Sequence, residues 1–468
     1  MAKRVDIQPA KISYVFDKGY QDLGNTIKEA WVRNLQDGKT QFELAKDSGF
    51  TSMGGAVHAI AALCIFVFGS MITAVTTMIQ ICFLAILVFF IDVIFGIVWV
   101  IDRIYIAINK IRNACPNSSC QESFLIPAYA CSSCGRVHTK LVPGKYGIFK
   151  RTCLCGAKLS TTFLNGRNKL VAYCPHCGTS LSGDTASRQY AIPVIGGPSV
   201  GKTCLLNMAV EHMVKDVAPT NSWDLTFMSE SDKKQYEATI SSFRRGIRPM
   251  KTDADALTAY QLMLKLPNEK VGRRLYVYDI SGEMFSSSSD VQRNNAYSYA
   301  DGFVFVIDPL TIPRFAAEME DSIDINSYGV SEKDFDDILN IMLINLEKIF
   351  GLKPKDVLKR NLAVVINKCD VPGLADEIGD GVAQAYMSQH PECKEFAQAK
   401  NEVCKAFLEK YDSGNFVRTA ESKFKQVQYF TCSALGHNKE GVPFESENAE
   451  APFLWILSTV DSAVKVAG

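Results

Sequence analysis

The run Gly196, Gly197, Pro198, Ser199, Val200, Gly201, Lys202, Thr203 spells G-x-x-x-x-G-K-[ST]. That pattern requires a buried strand, a tight loop and a helix in immediate succession. The flanks agree. Residues 190–195 are apolar and β-branched, which predicts a buried strand. Leu205, Leu206, Met208, Ala209 and Met213 recur at helical spacing after Lys202. Glycines at 196 and 201 let the backbone turn successive N–H groups inward. The helix start adds free donors and a positive dipole end. Such a cradle takes phosphate. Lys202 is expected on the β- and γ-phosphates, the Thr203 hydroxyl on Mg²⁺, and Cys204 completes the contacts.

Three downstream segments extend the site. Asp279 ends a predicted strand, residues 274–278, and opens a D-x-x-G that closes at Gly282. A carboxylate there can hold Mg²⁺ through a water, and the Gly282 N–H can sense a γ-phosphate. Asn367, Lys368 and Asp370 form N-K-x-D after the apolar strand 362–366. The Asp370 carboxylate can accept from N1–H and the 2-amino group of guanine; adenine lacks both donors. A site built on such bonds rejects a ligand that leaves them unpaired by up to roughly 10⁴-fold. Ser433, Ala434 and Leu435 follow a strand at 427–431, where backbone N–H groups can meet guanine O6.

From Arg188 onward these motifs resemble the small-GTPase-like branch of P-loop GTPases. The resemblance implies an α/β fold, a doubly wound, mostly parallel sheet of about six strands with the ligand at the strands' carboxyl ends. It implies GTP and GDP as ligands, Mg²⁺, and hydrolysis of GTP in a molecular switch. It also implies a Mg²⁺-binding Thr in a first switch, here Thr252, with Thr220 and Thr226 as competitors. Ser286 to Ser289 suggest a mobile second switch. Where the family often carries a water-orienting Gln, this chain has Glu283. The expected catalytic set is Lys202, Thr252 and Glu283. The Glu leaves open a non-hydrolysing scaffold that recruits an effector to a membrane. It also leaves room for an activator protein. Arg244, Arg245 and Arg248 can supply a missing cation, in cis or across a homodimer.

Residues 48–91 contain no Asp, Glu, Lys or Arg, and the apolar character continues to Ile101, broken only by Asp92. One membrane span needs about 20 apolar residues. The stretch therefore predicts two helices, 55–78 and 79–101, joined near Thr76 and Thr77 as a transmembrane hairpin. Asp92 is expected to pair with His58 across it or to face a partner helix. Lys28, Arg33, Lys39 and Lys46 precede the stretch, and Arg103, Lys110 and Arg112 follow it. Basic flanks on both sides predict cytosolic termini, a multi-pass inner-membrane protein and the lipid bilayer as partner. The stretch starts too late and runs too long for a signal peptide.

Eight of the 15 cysteines fall in four pairs: Cys115/Cys120, Cys131/Cys134, Cys153/Cys155 and Cys174/Cys177. Gly135, Gly156 and Gly178 follow three of them, as in zinc knuckles. Two pairs make one Cys₄ site, so two Zn²⁺ are expected. Sequential grouping is the natural assignment; an interleaved one fits the counts equally well. His138 and His176 are read as bystanders. A disulfide framework conflicts with a reducing compartment. Between Cys115 and Leu181 eight Lys/Arg stand against one acidic residue, Glu122. Eight thiolates (−8) with two Zn²⁺ (+4) contribute −4 and halve the surplus. The remainder suits anionic lipid, so a structural or protein-docking role is expected and no nucleic-acid partner; the alternative, a zinc-ribbon nucleic-acid-binding protein, would need exposed basic residues on the ribbons once the metal is counted.

The 468 residues carry 50 basic and 50 acidic side chains, a balance that implies no bulk electrostatic partner. Four segments are expected: a cytosolic start at 1–47 with an amphipathic patch from Leu23 to Leu35 including Trp31, the hairpin at 48–108, the zinc-ribbon pair at 109–181, and the GTPase domain at 182–468. Residues 182–187 read as a linker; 334–350 and 395–411 read as long helices. This order, with Cys131-x-x-Cys134-Gly135 and Cys174-Pro175-x-Cys177-Gly178, also resembles bacterial double-GTPase proteins. That likeness implies a place in a multi-gene, defence-type system.

Overall fold

The computed structural model describes residues 8–465 except 116, 118–119, 121, 182–183, 249–257, 270, 280–298, 332, 354–355 and 357. The chain forms two compact units, Met1–Ile108 with Ile126–Pro175, and Asn109–Leu125 with His176–Gly468.

The second unit is a mixed α/β layer structure. Its strands are β1 (Arg188–Gly196), β2 (Asp224–Phe227), β3 (Thr258–Lys265), β4 (Arg273–Asp279), β5 (Gly302–Ile307), β6 (Leu358–Ile366) and β7 (Phe424–Thr431). Their spatial order is β2-β3-β4-β1-β5-β6-β7. Strands β4, β1, β5, β6 and β7 pair in parallel, while β3 joins β4 and β2 joins β3 antiparallel. Every residue of β5 is buried, as a strand covered on both faces requires. Its two-residue period sorts the side chains. Phe303, Phe305 and Ile307 enter one core with Leu339 of α5 (Phe335–Phe350) and Phe407 of α6 (Phe396–Lys410). Val304 and Val306 enter the other with Leu205 of α3 (Lys202–His212) and Ile456 of α7 (Ala451–Val460). Strand β2 is one more than the expected six. Its four residues alternate exposed and half-buried, too short and polar a signal to read. The expected linker is packed where it is described: Thr185, Ala186 and Ser187 are buried, and Asp184 accepts from the Ala186 N–H at 2.8 Å.

The first unit corrects the hairpin. Among the described residues no turn forms at Thr76 and Thr77; one helix, α2, runs through all 56 residues of Met53–Ile108. It contains a single π-helical turn, Ile65–Gly69. At 1.5 Å per residue it is about 84 Å long. The sequence from 70 to 95 holds no Gly or Pro to break it. The Thr73 and Thr76 hydroxyls donate to the Gly69 and Ile72 carbonyls at 2.8 and 3.0 Å, which satisfies them inside a helix. The reversal comes earlier. Gly49 takes φ +75°, and Ser52 caps α2 by accepting from the Gly55 N–H at 2.9 Å. The preceding helix α1 (Lys18–Asp47) therefore packs antiparallel against the start of α2. Small residues permit the approach: a Cβ on Gly38 would stand 2.7 Å from the Phe66 ring. Asn34 donates to Ser70 Oγ at 3.1 Å, and His58 Nδ1 meets Gln41 Oε1 at 2.8 Å. His58 and Asp92 lie on one helix about 50 Å apart along its axis. The expected pairing between them is thus excluded, and Asp92 is exposed.

Short antiparallel ladders build the ribbon of this unit. Ala128–Ala130 pairs with Val137–His138 and with Ala172–Tyr173, and Lys150–Cys153 pairs with Lys158–Ser160 and Ala10–Lys11. A buried ion pair, Arg167 to Asp102 at 3.1 Å, ties ribbon to helix.

Candidate nucleotide site and cysteine clusters

The motif residues that are described collect at the carboxyl ends of β1, β4, β6 and β7, the crevice where open α/β sheets bind ligands. After β1 the loop turns through Ser199 (φ +60°) into Gly201 (φ +91°), the N-cap of α3. Gly201 has a second reason to lack a side chain: a Cβ there would lie 2.4 Å from Asn367 Nδ2. That amide donates to the Val200 carbonyl at 2.8 Å, and its Oδ1 accepts from the Ala434 N–H at 3.0 Å. Asn367 thereby locks the phosphate loop to the β7 turn.

Lys202 is buried and curls back, donating to the Gly196 and Gly197 carbonyls at 3.1 and 2.7 Å. The Thr203 hydroxyl donates to Asp279 Oδ2. Asp279 is 2 % exposed, and its Oδ1 has no partner among the described residues. Burial raises the Asp279 carboxyl above its ordinary value, against the pull of Lys202 and Thr203. Burial likewise lowers the Lys202 ammonium, against Asp279. Each charge thus favours an added partner of opposite sign, a cation for the carboxylate and an anion for the ammonium. Burial, then Asp279, pushes the Cys204 thiol up to about 12, which keeps it neutral.

Asp370 Oδ1 accepts from Ser433 Oγ at 2.5 Å, and that oxygen accepts from the Gly436 N–H at 2.9 Å. The Ser433 and Ala434 N–H groups, expected to face a base, are spent on the Glu447 carbonyl and on Asn367. Lys368 donates to Asp308 Oδ2 at 2.6 Å and to the Tyr328 and Gly329 carbonyls at 3.0 Å each. The sequence reading missed Asp308, the buried residue that directly follows β5. Its signal was the apolar run 302–307 closing on Asp-Pro.

Thr252, Gly282, Glu283 and residues 286–289 lie outside the described residues. Of the competitors, Thr220 ends a short helix and Thr226 lies on edge strand β2; both are exposed. Arg244 and Arg245 have partners away from the loop, whereas Arg248 is held on the segment whose Tyr328 and Gly329 carbonyls meet Lys368. Arg244, the last residue of α4 (Glu230–Arg244), pairs with Glu211 at 2.9 Å, Arg245 donates to the Ser241 carbonyl at 3.3 Å, and Arg248 to the Ser327 and Asn438 carbonyls at 3.3 and 2.5 Å.

The model of the Double-GTPase 2 family matches residues 190–441, over half of the chain. The chain belongs to the Double-GTPase 2 family. No curated protein matches it. Membership makes it a GTP-binding protein of the P-loop class, with GTP or GDP and Mg²⁺ as implied ligands.

The eight paired cysteines of this family member form two groups, Cys115/Cys120/Cys174/Cys177 and Cys131/Cys134/Cys153/Cys155. This corrects the sequential grouping. The 128–130 strand and the 172–173 strand run antiparallel, so the knuckles that follow them, at Cys131 and Cys174, leave at opposite ends of the ladder. Spacing alone does not carry that information. Sulfur separations of 3.4 Å (Cys115 to Cys177) and 3.6 Å (Cys131 to Cys155, Cys134 to Cys153) are far too long for disulfides. They fit four thiolates about 2.3 Å from one Zn²⁺, whose tetrahedral edges are about 3.75 Å. The Ala157 N–H holds the Cys155 thiol down at about 7, and the Thr179 hydroxyl holds Cys177 at about 6. His138 is fully buried; burial and Arg151 lower it to about 4. It joins neither group.

Proposed function

We propose that this chain hydrolyses GTP to GDP and phosphate as a switch held at a lipid bilayer. The observation that carries the reading is the buried Asp279 Oδ1, unpartnered among the described residues, beside Thr203 and Lys202. In this reading the Lys202 ammonium leaves the Gly196 and Gly197 carbonyls for the β- and γ-phosphate oxygens. Thr203 and Asp279 would hold Mg²⁺, which supplies charge neutralisation on the phosphates. Asp370, braced by Ser433, accepts from the guanine edge, and the Leu435 N–H is left to face O6. Gly282 and Thr252 sense the γ-phosphate. An ionised Glu283 cannot donate a hydrogen bond, so unaided turnover is slow. Glu283 also supports the second reading, a GTP-dependent scaffold without hydrolysis; phosphate release separates the two.

Helix α2 serves as the anchor: no residue of its most apolar window is buried. One crossing of a hydrocarbon core about 30 Å thick uses part of its length. The α1 reversal then lies on one side and the ribbon on the other. The groups Cys115/Cys120/Cys174/Cys177 and Cys131/Cys134/Cys153/Cys155 would each hold one Zn²⁺, which would stabilise the ribbons.

The test of the site is Mg²⁺ dependence in the full-length chain in detergent. GTP affinity should rise when Mg²⁺ is added, and Asp279→Asn should abolish that rise. A parent protein whose GTP affinity ignores Mg²⁺ would overturn the assignment.

A further inference from the structure

Residues 126–175, the ribbon of the first unit, contain no Asp or Glu and eight Lys or Arg. Arg151 and Arg167 are buried; Arg136, Lys140, Lys145, Lys150, Lys158 and Lys169 are exposed. Four thiolates and one Zn²⁺ at Cys131/Cys134/Cys153/Cys155 would add −2, so the surface stays cationic. Strand alternation sorts part of this charge. Lys150 stands opposite Ser160 and Lys158 opposite Thr152, so Lys150 and Lys158 share one face of their ladder, while Arg151 and Leu159 are buried on the other. Large apolar side chains accompany them: Phe149 is 56 % and Leu164 63 % exposed. Their loops are bonded together, the Phe149 carbonyl accepting from the Thr161 N–H and from Asn165 Nδ2 at 3.1 Å each. Lys169 folds over the same turn: a Cβ on Gly166 would lie 3.5 Å from its Cδ. The patch stands where the apolar helix ends. The apolar run of α2 closes at Ile101, and Asp102 accepts from the Phe163 N–H, next to Leu164, at 3.0 Å. The Trp99 ring centre lies 5.4 Å from the Arg103 guanidinium, an aromatic and basic pair suited to a membrane–water boundary. Asp102 is about 4.5 Å beyond Trp99 along the axis, and a headgroup layer is about 5–7.5 Å deep on each side.

We propose that this ribbon face binds an anionic lipid surface, with Phe149 and Leu164 in the headgroup layer and Lys150, Lys158 and Lys169 on lipid phosphates. The proposal rests on the anchor reading of α2 above. Nucleic acid would use the charge but not the exposed Leu164 side chain, and continuity with α2 brings lipid phosphate within reach. Each cation near an anionic leaflet gains roughly fivefold in binding, so three lysines give on the order of 10²-fold, which a neutral leaflet does not supply. An anionic leaflet thus holds the ribbon against the membrane.

The experiment places the full-length chain in nanodiscs of phosphatidylcholine alone, or of phosphatidylcholine with phosphatidylglycerol. Acetylation of single lysines by a water-soluble reagent is then read by mass. Lys150 and Lys169 should react at least about tenfold more slowly in the anionic discs, with Lys439 of the second unit unchanged, and high salt should erase the difference. Phe149→Ser with Leu164→Ser should weaken the protection although every lysine and the lipid charge remain. Lys150→Glu with Lys158→Glu should return Lys169 to its rate in neutral discs, and unchanged amide exchange of residues 159–170 in detergent shows that ribbon intact. Equal rates in the two lipids, or protection of Lys169 that the Glu pair leaves in place, overturns the proposal. Stronger protection by single-stranded RNA in detergent than by anionic lipid overturns it in favour of nucleic acid. A chain that enters discs of neither lipid overturns the anchor reading of α2, and the proposal with it.

Discussion

Removing the Arg167 guanidinium should loosen the ribbon from its helix without touching the nucleotide site. Arg167 and Asp102 are 0 and 2 % exposed and meet at 3.1 Å. Arg167 also donates to the Leu141 and Thr161 carbonyls at 2.9 and 2.6 Å and lies 4.1 Å from the centre of the Phe163 ring. Arg167→Met keeps the contact with the ring but leaves the Asp102 carboxylate buried and without its counter-charge, still accepting from the Phe163 N–H at 3.0 Å. Breaking one side of a buried pair costs about 3–5 kcal/mol. At 1.4 kcal/mol per tenfold, the locally opened state gains roughly 10²- to 10⁴-fold in population. Amide hydrogen exchange around residues 159–170 should accelerate by that factor, with GTP affinity unchanged. Adding Asp102→Asn removes the stranded charge, and its amide oxygen can still accept from Phe163. The double variant should therefore recover a large part of the loss. Acceleration below tenfold, or a double variant no better than the single, would refute the argument.

The full chain should carry two zinc ions in the nested grouping. Cys120→Ser should then make Cys177 alkylatable and leave Cys155 protected; exposure of Cys131 instead would restore the sequential grouping. For α2, epitopes inserted at residue 40 and residue 145 should lie on opposite membrane faces, whereas a hairpin would place both on one. Burial alone would raise the Asp461 carboxyl, but Arg273, Tyr190 and the Ala463 N–H outweigh it and hold it at about 2. A lowered carboxylate stabilises above its unfolded value of about 3.9, and loses that stabilisation as pH falls through about 2. Asp461→Asn should thus flatten the acid limb of the unfolding curve between those values, and an unchanged limb would contradict the assignment.

Much of the nucleotide site was legible because its chemistry is local. Asp279 ends apolar β4, Asn367 and Asp370 follow apolar β6, Gly201 and Lys202 follow apolar β1 by one short loop, and the parallel sheet brings those strand ends together. What escaped depends on tertiary context. Ser331 lies on a loop between β5 and α5 whose approach to Gly197 follows from the packing of α5, not from any spacing. The cysteine grouping follows from strand direction, which knuckle motifs do not encode. The transmembrane hairpin failed because length alone suggested a turn that no breaker at Thr76 or Thr77 supports, while Gly49 and Ser52 marked the actual reversal.

The most direct test of the account is nucleotide competition on the full-length chain. Asp370 braced by Ser433 predicts that GTP and GDP compete well and ATP at least about 10²-fold more weakly, within the range that unpaired buried donors and acceptors impose. It also predicts that Asp370→Asn shifts preference toward xanthine nucleotides, whose ring oxygen at position 2 can accept from the amide. Equal affinity for ATP and GTP in the parent would contradict the central claim.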